Sequence, residues 1–186
     1  MRLVAVALSL VALGACRGDR APGAREQLLP DSLAARERVT NDSLVHAALQ
    51  EDGARLEYRW VVAIDSAPCT EQTSLFDPVL RRWLVLNDTV ALEHAQGDRV
   101  VIGRGTSGTP VMLRLGMTSG DRFLSSTTRH VGSHLAVVLN GHLLVAPSPV
   151  IRSPFGGVVV VAGNLDSTVA RELAERLRRT EQSRSP

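Results

Sequence analysis

Leu135-Ala136-Val137-Val138-Leu139-Asn140-Gly141-His142-Leu143-Leu144-Val145-Ala146 decides the reading of this chain. Two apolar runs are separated by Asn140-Gly141 alone, and both turn residues tolerate the positive φ that a type I′ turn requires. The stretch predicts a β-hairpin, Leu135 to Leu139 against His142 to Ala146, with Asn140 and Gly141 as its structural turn. Downstream, Val158 to Ala162 reads as another buried strand after the loop from Pro147 to Gly157. Upstream, Val100-Val101-Ile102 and Val111 to Leu115 pair around Gly103 to Pro110, and Ser119 to His130 is a helix candidate.

The last element is an amphipathic helix. Val169, Ala170, Leu173, Ala174 and Leu177 recur at helical spacing, charged residues from Arg171 to Arg179 take the other face, and Asp166 is placed as N-cap. The Glu172/Arg176 and Glu175/Arg179 pairs stand at i,i+4 in the favourable order. Each contributes only about 0.2–0.5 kcal/mol, so burial of the stripe must hold the helix. From Val100 the order is β-β-α-β-β-β-α, which predicts an α+β fold of two layers, a mostly antiparallel sheet packed by two helices.

Towards the N-terminus the pattern thins. Leu56 to Ile64 and Trp83 to Leu86 are strand-like, with the polar, proline-containing Asp65 to Pro78 between them, so 55–82 is expected to be a small β-rich segment. Residues 17 to 54 carry two short helix candidates, Asp31 to Arg38 and Asp42 to Gln50, each opening on an aspartate. Neither is long enough to be stable alone, so 16–54 is expected to be a polar tether.

Met1-Arg2, the apolar run Leu3 to Leu13 and then Gly14-Ala15-Cys16 form a secretory signal ending in small residues. The run is about half the roughly 20 residues that a membrane-spanning helix needs, so residues 1–15 read as a removable signal peptide. Leu13-Gly14-Ala15-Cys16 resembles the lipobox of bacterial lipoproteins, in which the cysteine takes a diacylglyceryl group and becomes the new N-terminus. That resemblance makes Cys16 the lipidation site and the membrane a partner. Arg17, where aspartate would retain a proteobacterial lipoprotein at the inner membrane, favours the outer membrane.

Formal charge is +2 and every basic residue is arginine, with no stripe of interleaved aromatics, so nucleic acid is not an expected partner. With Cys16 acylated, Cys69 is the remaining thiol and an intramolecular disulfide is excluded. Gly103-x-Gly105-x-x-Gly108 spells a dinucleotide fingerprint, but Thr109-Pro110 and a strand follow it instead of a helix N-terminus, so it reads as a hairpin loop. His130 and His134 are spaced i,i+4, yet Gly132 interrupts the helix between them and no third ligand is evident. No nucleophile elbow or ordered triad appears. The sequence predicts no enzyme, no cofactor and no metal site.

From about Trp83 to Arg179 the chain resembles the head of the first periplasmic domain of SecD, a subunit of the bacterial protein-export complex. The resemblance rests on Thr128, Val131-Gly132, Leu135 to Gly141, Ala146-Pro147, Ile151, Gly157 through Leu165, and the phase of the final helix. It implies the SecD head-like α+β fold and contact with unfolded secreted polypeptides or Sec components. It does not imply the SecD motor, which resides in membrane-spanning helices that this sequence lacks beyond its signal. The turn that is often Asp-Gly in the family is Asn140-Gly141 here, an exchange the turn accepts.

The expected division is 1–15 signal peptide, 16–54 lipidated cysteine and tether, 55–82 β-rich segment, 83–180 SecD head-like domain and 181–186 tail. The expected function is that of a lipid-anchored, periplasm-facing adaptor; an envelope structural protein, or a hydrolytic or metal-binding protein, is the alternative. Peptide binding would use a strand edge and the Pro147 to Gly157 loop, with Phe155, Pro149 and Ile151 as partner-binding candidates. Two glycines beside Phe155 would let it swing out as an anchor, or it folds back to cap the core. Replacing Cys16 with serine removes the thiol that accepts the diacylglyceryl group, so Cys16→Ser should abolish metabolic labelling with a fatty-acid probe and leave the signal uncleaved.

Overall fold

The computed structural model describes residues 31–70, 72–95 and 97–183; the signal, Cys16 and the chain up to residue 30 lie outside the described residues. The described residues form three helices and eight strands: α1 (Asp31–Leu49), β1 (Leu56–Asp65), β2 (Ser74–Asp77), β3 (Arg82–Glu93), β4 (Arg99–Ile102), β5 (Thr109–Arg114), α2 (Met117–Arg129), β6 (Leu135–Leu139), β7 (His142–Leu143), β8 (Val158–Leu165) and α3 (Ser167–Ser183). They form a five-stranded sheet, β2-β3-β1-β6-β7, and a three-stranded sheet, β4-β5-β8. Every pairing is antiparallel. The α+β class is as predicted.

The larger sheet is strongly curled. β1 slips register against β3 at three places between Tyr58 and Ala63, and such bulges bend a strand and increase its twist. The outer strands β2 and β7 come together as a result, and Asp77 Oδ2 accepts the Ser148 N–H at 3.0 Å across the gap. Leu84, Leu86, Ala136, Val138, Leu143 and Ala146 fill the inside of the curl, with Leu44, Ile64 and Leu75 against them. On the other face Leu56, Tyr58, Trp60, Leu135, Val137 and Leu139 join the main core with the second sheet and the helices. β6 is thus buried along its whole length, odd positions in one core and even positions in the other.

The hairpin forms as read. Asn140 and Gly141 have φ of 51° and 83°, and β6 pairs with β7 through Val138–Leu143 and Leu139–His142. β7 is shorter than predicted, and the Ala146 N–H goes to Asn41 Oδ1 instead of a ladder. The strand pair β4–β5, helix α2 and helix α3 also stand where predicted, and Leu173 is fully buried whereas Arg171 is exposed. Asp166 caps α3, its Oδ1 accepting the Thr168 N–H at 2.8 Å. That backbone hydrogen bond lowers the carboxyl's pKa.

Two expectations are corrected. The two short helices of a tether are one helix, α1, and its C-terminal half is part of the domain: Asn41, Val45, Ala48 and Leu49 are buried. Asn41 does not break the helix because its side chain is satisfied elsewhere, Nδ2 donating to Gly163 O at 3.2 Å and Oδ1 accepting the Ala146 N–H at 3.1 Å. Asp42, read as an N-cap, instead accepts the Asp166 N–H at 3.0 Å. Nor is 55–82 a separate segment, because β1 lies at the centre of the larger sheet between β3 and β6. Among the described residues α1 thus joins α2 and α3 in packing the sheets.

Asparagine at the turn is more than acceptable. Asn140 Oδ1 accepts the Arg55 N–H at 2.9 Å, while Nδ2 donates to Ala48 O at 3.2 Å and Gly53 O at 3.3 Å, closing the end of α1. An aspartate would keep the acceptor and lose both donors. Asn140→Asp should lower the unfolding free energy by about 1–2 kcal/mol in denaturant melts, with the circular dichroism spectrum unchanged; equal stability would mean that these bonds contribute nothing.

Candidate binding groove

β8 pairs with β5 on one side only, and among the described residues its other edge carries no strand; Asn41 of α1 donates to Gly163 O at its C-terminal part, and the part from Val158 to Val160 faces the larger sheet across a groove. Along β8, Val159 and Val161 are buried while Val158 and Val160 are exposed. Four consecutive valines conceal this alternation in the sequence, where the segment reads simply as a buried strand. The groove, about 350 Å³, runs between Val158–Val160 on one wall and Leu135, Val137 and the Pro149–Ser153 segment on the other, with Tyr58 and Phe155 at its base. Its surface is mainly apolar.

Tyr58 spans the two sheets. Rising from β1 and fully buried, it donates its hydroxyl to Val160 O at 3.3 Å. Burial, helped by the charge of Asp98, raises the pKa of this hydroxyl, so it stays a proton donor. The Tyr58 ring lies 5.9 Å from that of Phe123, and Phe123 meets Phe155 edge-on at 5.3 Å and 82°. Such tilted contacts between rings are the favoured ones. An aromatic row therefore supports the groove from below.

The three partner-binding candidates meet here in different roles. Pro149 is exposed on the rim, its carbonyl accepting the Leu135 N–H at 2.9 Å. Ile151 is a core residue, 4% exposed, and its backbone pairs with Gly132 and Ser133. Phe155 is half-buried against the core rather than swung outward. The buried hydroxyl of Thr127 in α2 accepts the Phe155 N–H at 3.1 Å and donates to Phe155 O at 2.9 Å. The neighbouring glycine permits close approach: a Cβ on Gly156 would stand 2.4 Å from Gly120 O, and one on Gly120 would stand 2.5 Å from Gly156 O. Sequence reasoning missed Val150, Val158 and Val160, which line the groove 41–49% exposed.

The remaining candidates are used structurally. His130 caps α2 and stacks on Trp60, ring centroids 4.2 Å apart, whereas His134 Nδ1 lies 2.9 Å from Ser148 O. They share no face. The glycine-rich stretch is the β4–β5 turn, and Gly108 sits there because a Cβ would lie 2.7 Å from the Asn164 backbone. A second hollow, about 700 Å³ and more polar, lies between α2 and β3 beside Trp60 and is lined by Arg122, Arg129 and Asn87.

A curled five-stranded antiparallel sheet, a three-stranded antiparallel sheet beside it and, among the described residues, three helices define a small α+β module. Residues 76–181 match the SecDF P1 head subdomain, and the chain belongs to that family. Its fold is similar to a solved structure of SecDF, a membrane component that enhances protein export, at 20% identity, TM-score 0.53, over 83% of this chain and 89% of that one. It is also similar to SecDF crystallised in a super-membrane-facing form, at 22% identity and TM-score 0.50, over 80% of this chain but only 26% of that longer one. No curated protein matches the sequence. Among the described residues no helix is long and apolar enough to cross a membrane.

Thr127→Val keeps the volume and removes the hydroxyl that holds both backbone groups of Phe155. It should cost about 1–3 kcal/mol and, in hydrogen exchange, deprotect the Phe155 amide well before those of β6. Unchanged protection at Phe155 would show that the ring contact alone fixes the loop.

Proposed function

We propose that this chain is a periplasm-facing adaptor of the protein-export system, held to a membrane by lipid on Cys16, that binds extended segments of secreted polypeptides in the groove beside β8. The open edge of β8 is the observation that carries this reading. An extended chain laid along Val158–Val160 adds a strand to the three-stranded sheet through main-chain hydrogen bonds, which are indifferent to sequence. The apolar walls then take alternate side chains. This combination suits substrates that share an unfolded, apolar character and no common motif.

Family membership favours an export partner over an unrelated envelope role. The work of such a module is binding and not catalysis: the histidines are spent on stacking and backbone contacts, and the fingerprint-like glycines shape a turn. A Sec component could occupy the same edge, and the test distinguishes the two.

With a photo-crosslinking residue at position 158 or 160 of the full lipidated chain in growing cells, irradiation should capture secreted polypeptides in transit. The same residue at Leu124, exposed on α2, should capture few. A single fixed band of a Sec subunit from 158 and 160 would assign the groove to the machinery instead of its cargo. Equal labelling from all three positions, or none from 158 and 160, would defeat the groove as the binding site.

A further inference from the structure

We propose that the tip of the β2–β3 hairpin is a docking surface for an anionic lipid bilayer, with Val79 and Leu80 entering the interface, Phe76 and Trp83 at headgroup depth, and Arg81 and Arg82 on the lipid phosphates. The surface itself is unusual for a hairpin tip. Phe76, Val79 and Leu80 are 45%, 43% and 37% exposed, and Phe76 meets the half-buried Trp83 at 5.4 Å between centroids. Arg81 and Arg82 are exposed and form no ion pair with any described residue. Apolar side chains at an apex, aromatics behind them and free guanidinium groups alongside are what a bilayer interface selects.

The tip is held in this form. Asp77, fully buried, accepts the N–H groups of Val79 and Leu80 at 2.9 and 3.0 Å with Oδ1, while Oδ2 takes the Ser148 N–H. Arg81 closes the turn at φ +53°, a conformation that non-glycine residues adopt only when their surroundings enforce it. The apolar pair Val79-Leu80 is thereby kept in solvent by the same carboxylate that closes the sheet.

The path of the chain says which occupant fits. α1 runs from Asn41, bonded to Ala146, to Ala48, bonded to Asn140, so its N-terminus points to the end of the domain where Ser148 meets Asp77. The hairpin tip and the start of α1 are therefore at one end, with the β4–β5 turn beside them through the Arg38–Ser107 hydrogen bond. Cys16 is fifteen residues before Asp31, a span that reaches at most about 50 Å. The inference rests on the lipid-anchor reading in this respect: a chain acylated at Cys16 presents this end to its own membrane.

The test uses the full lipidated chain in vesicles of equal parts phosphatidylcholine and phosphatidylglycerol. A bimane probe on Leu80→Cys, in a Cys69→Ser background, should be strongly quenched by nitroxide-labelled lipid, and the same probe on Val158→Cys should not. In parallel, the mature chain carrying Cys16→Ser should sediment with these vesicles and not with phosphatidylcholine alone, and Arg82→Gln should lower its partitioning about fivefold. Quenching absent at position 80 of an acylated chain overturns the docking while the anchor stands. If Cys16 proves not to be acylated, the anchor reading falls, and the sedimentation arm decides the docking: lipid-independent or undetectable binding overturns it.

Discussion

β6 has to be buried on both faces at once, and the arrangement of the other elements follows from that requirement. Leu135, Val137 and Leu139 enter the main core, while Ala136 and Val138 enter the curl of the larger sheet. A flat sheet covered by helices on one side would leave Ala136 and Val138 in water. Curling is the alternative, and the displaced register of β1 supplies it. The small side chains at 136 and 138 matter here, since Leu84, Leu86 and Leu143 must pack across them in a narrow space. Closing the curl in turn demands a polar latch where β2 meets the segment after β7. Asp77 meets that need with three backbone amides, the hydrogen bonding that makes burial of a carboxylate tolerable.

The groove is a consequence of the same geometry. Because β6 already has neighbours on both edges, β1 and β7, it cannot pair with β8, and the second sheet must stand beside the first with its own edge open. Tyr58 bridges the resulting gap by a single hydroxyl bond to Val160 O. The aromatic row Tyr58–Phe123–Phe155 fills the space beneath, and Thr127 fixes the loop that forms one end.

Much of the fold was legible where period and turn chemistry agree. Asn140-Gly141 announces its hairpin, and Val169 to Leu177 declares both its helix and its buried face. α1 was read as two short helices of a tether because the stripe that packs it includes a polar residue, Asn41, and small ones, Ala48 among them, so its contacts lie in tertiary hydrogen bonds that no local pattern encodes. β1 was recognised as a strand, but its place at the centre of the sheet depends on pairing with β6, Leu56 with Leu139 and Trp60 with Leu135, far along the chain and beyond the reach of periodicity. For the candidate site, the sequence drew attention to the Pro147–Gly157 loop and left two orientations of Phe155 open, of which the structure has the one folded against the core. Glycine beside an aromatic is as compatible with close backbone approach as with mobility, and the contact of Gly156 with Gly120 belongs to the first kind. The exposed face of β8 escaped notice because alternation is visible only when the two faces differ in polarity, and Val158 to Val161 are identical.

The size of this edge bears on how such a module would work. Three residues of exposed strand offer only a few main-chain hydrogen bonds, each worth about 0.5–1.5 kcal/mol net in water, and ordering an unfolded segment costs part of that gain. A groove of this size would by itself give only weak, short-lived capture of an extended chain. Confinement to a membrane changes the balance without new contacts, because a tethered binder meets chains emerging at that membrane at a much higher effective concentration than a diffusing one.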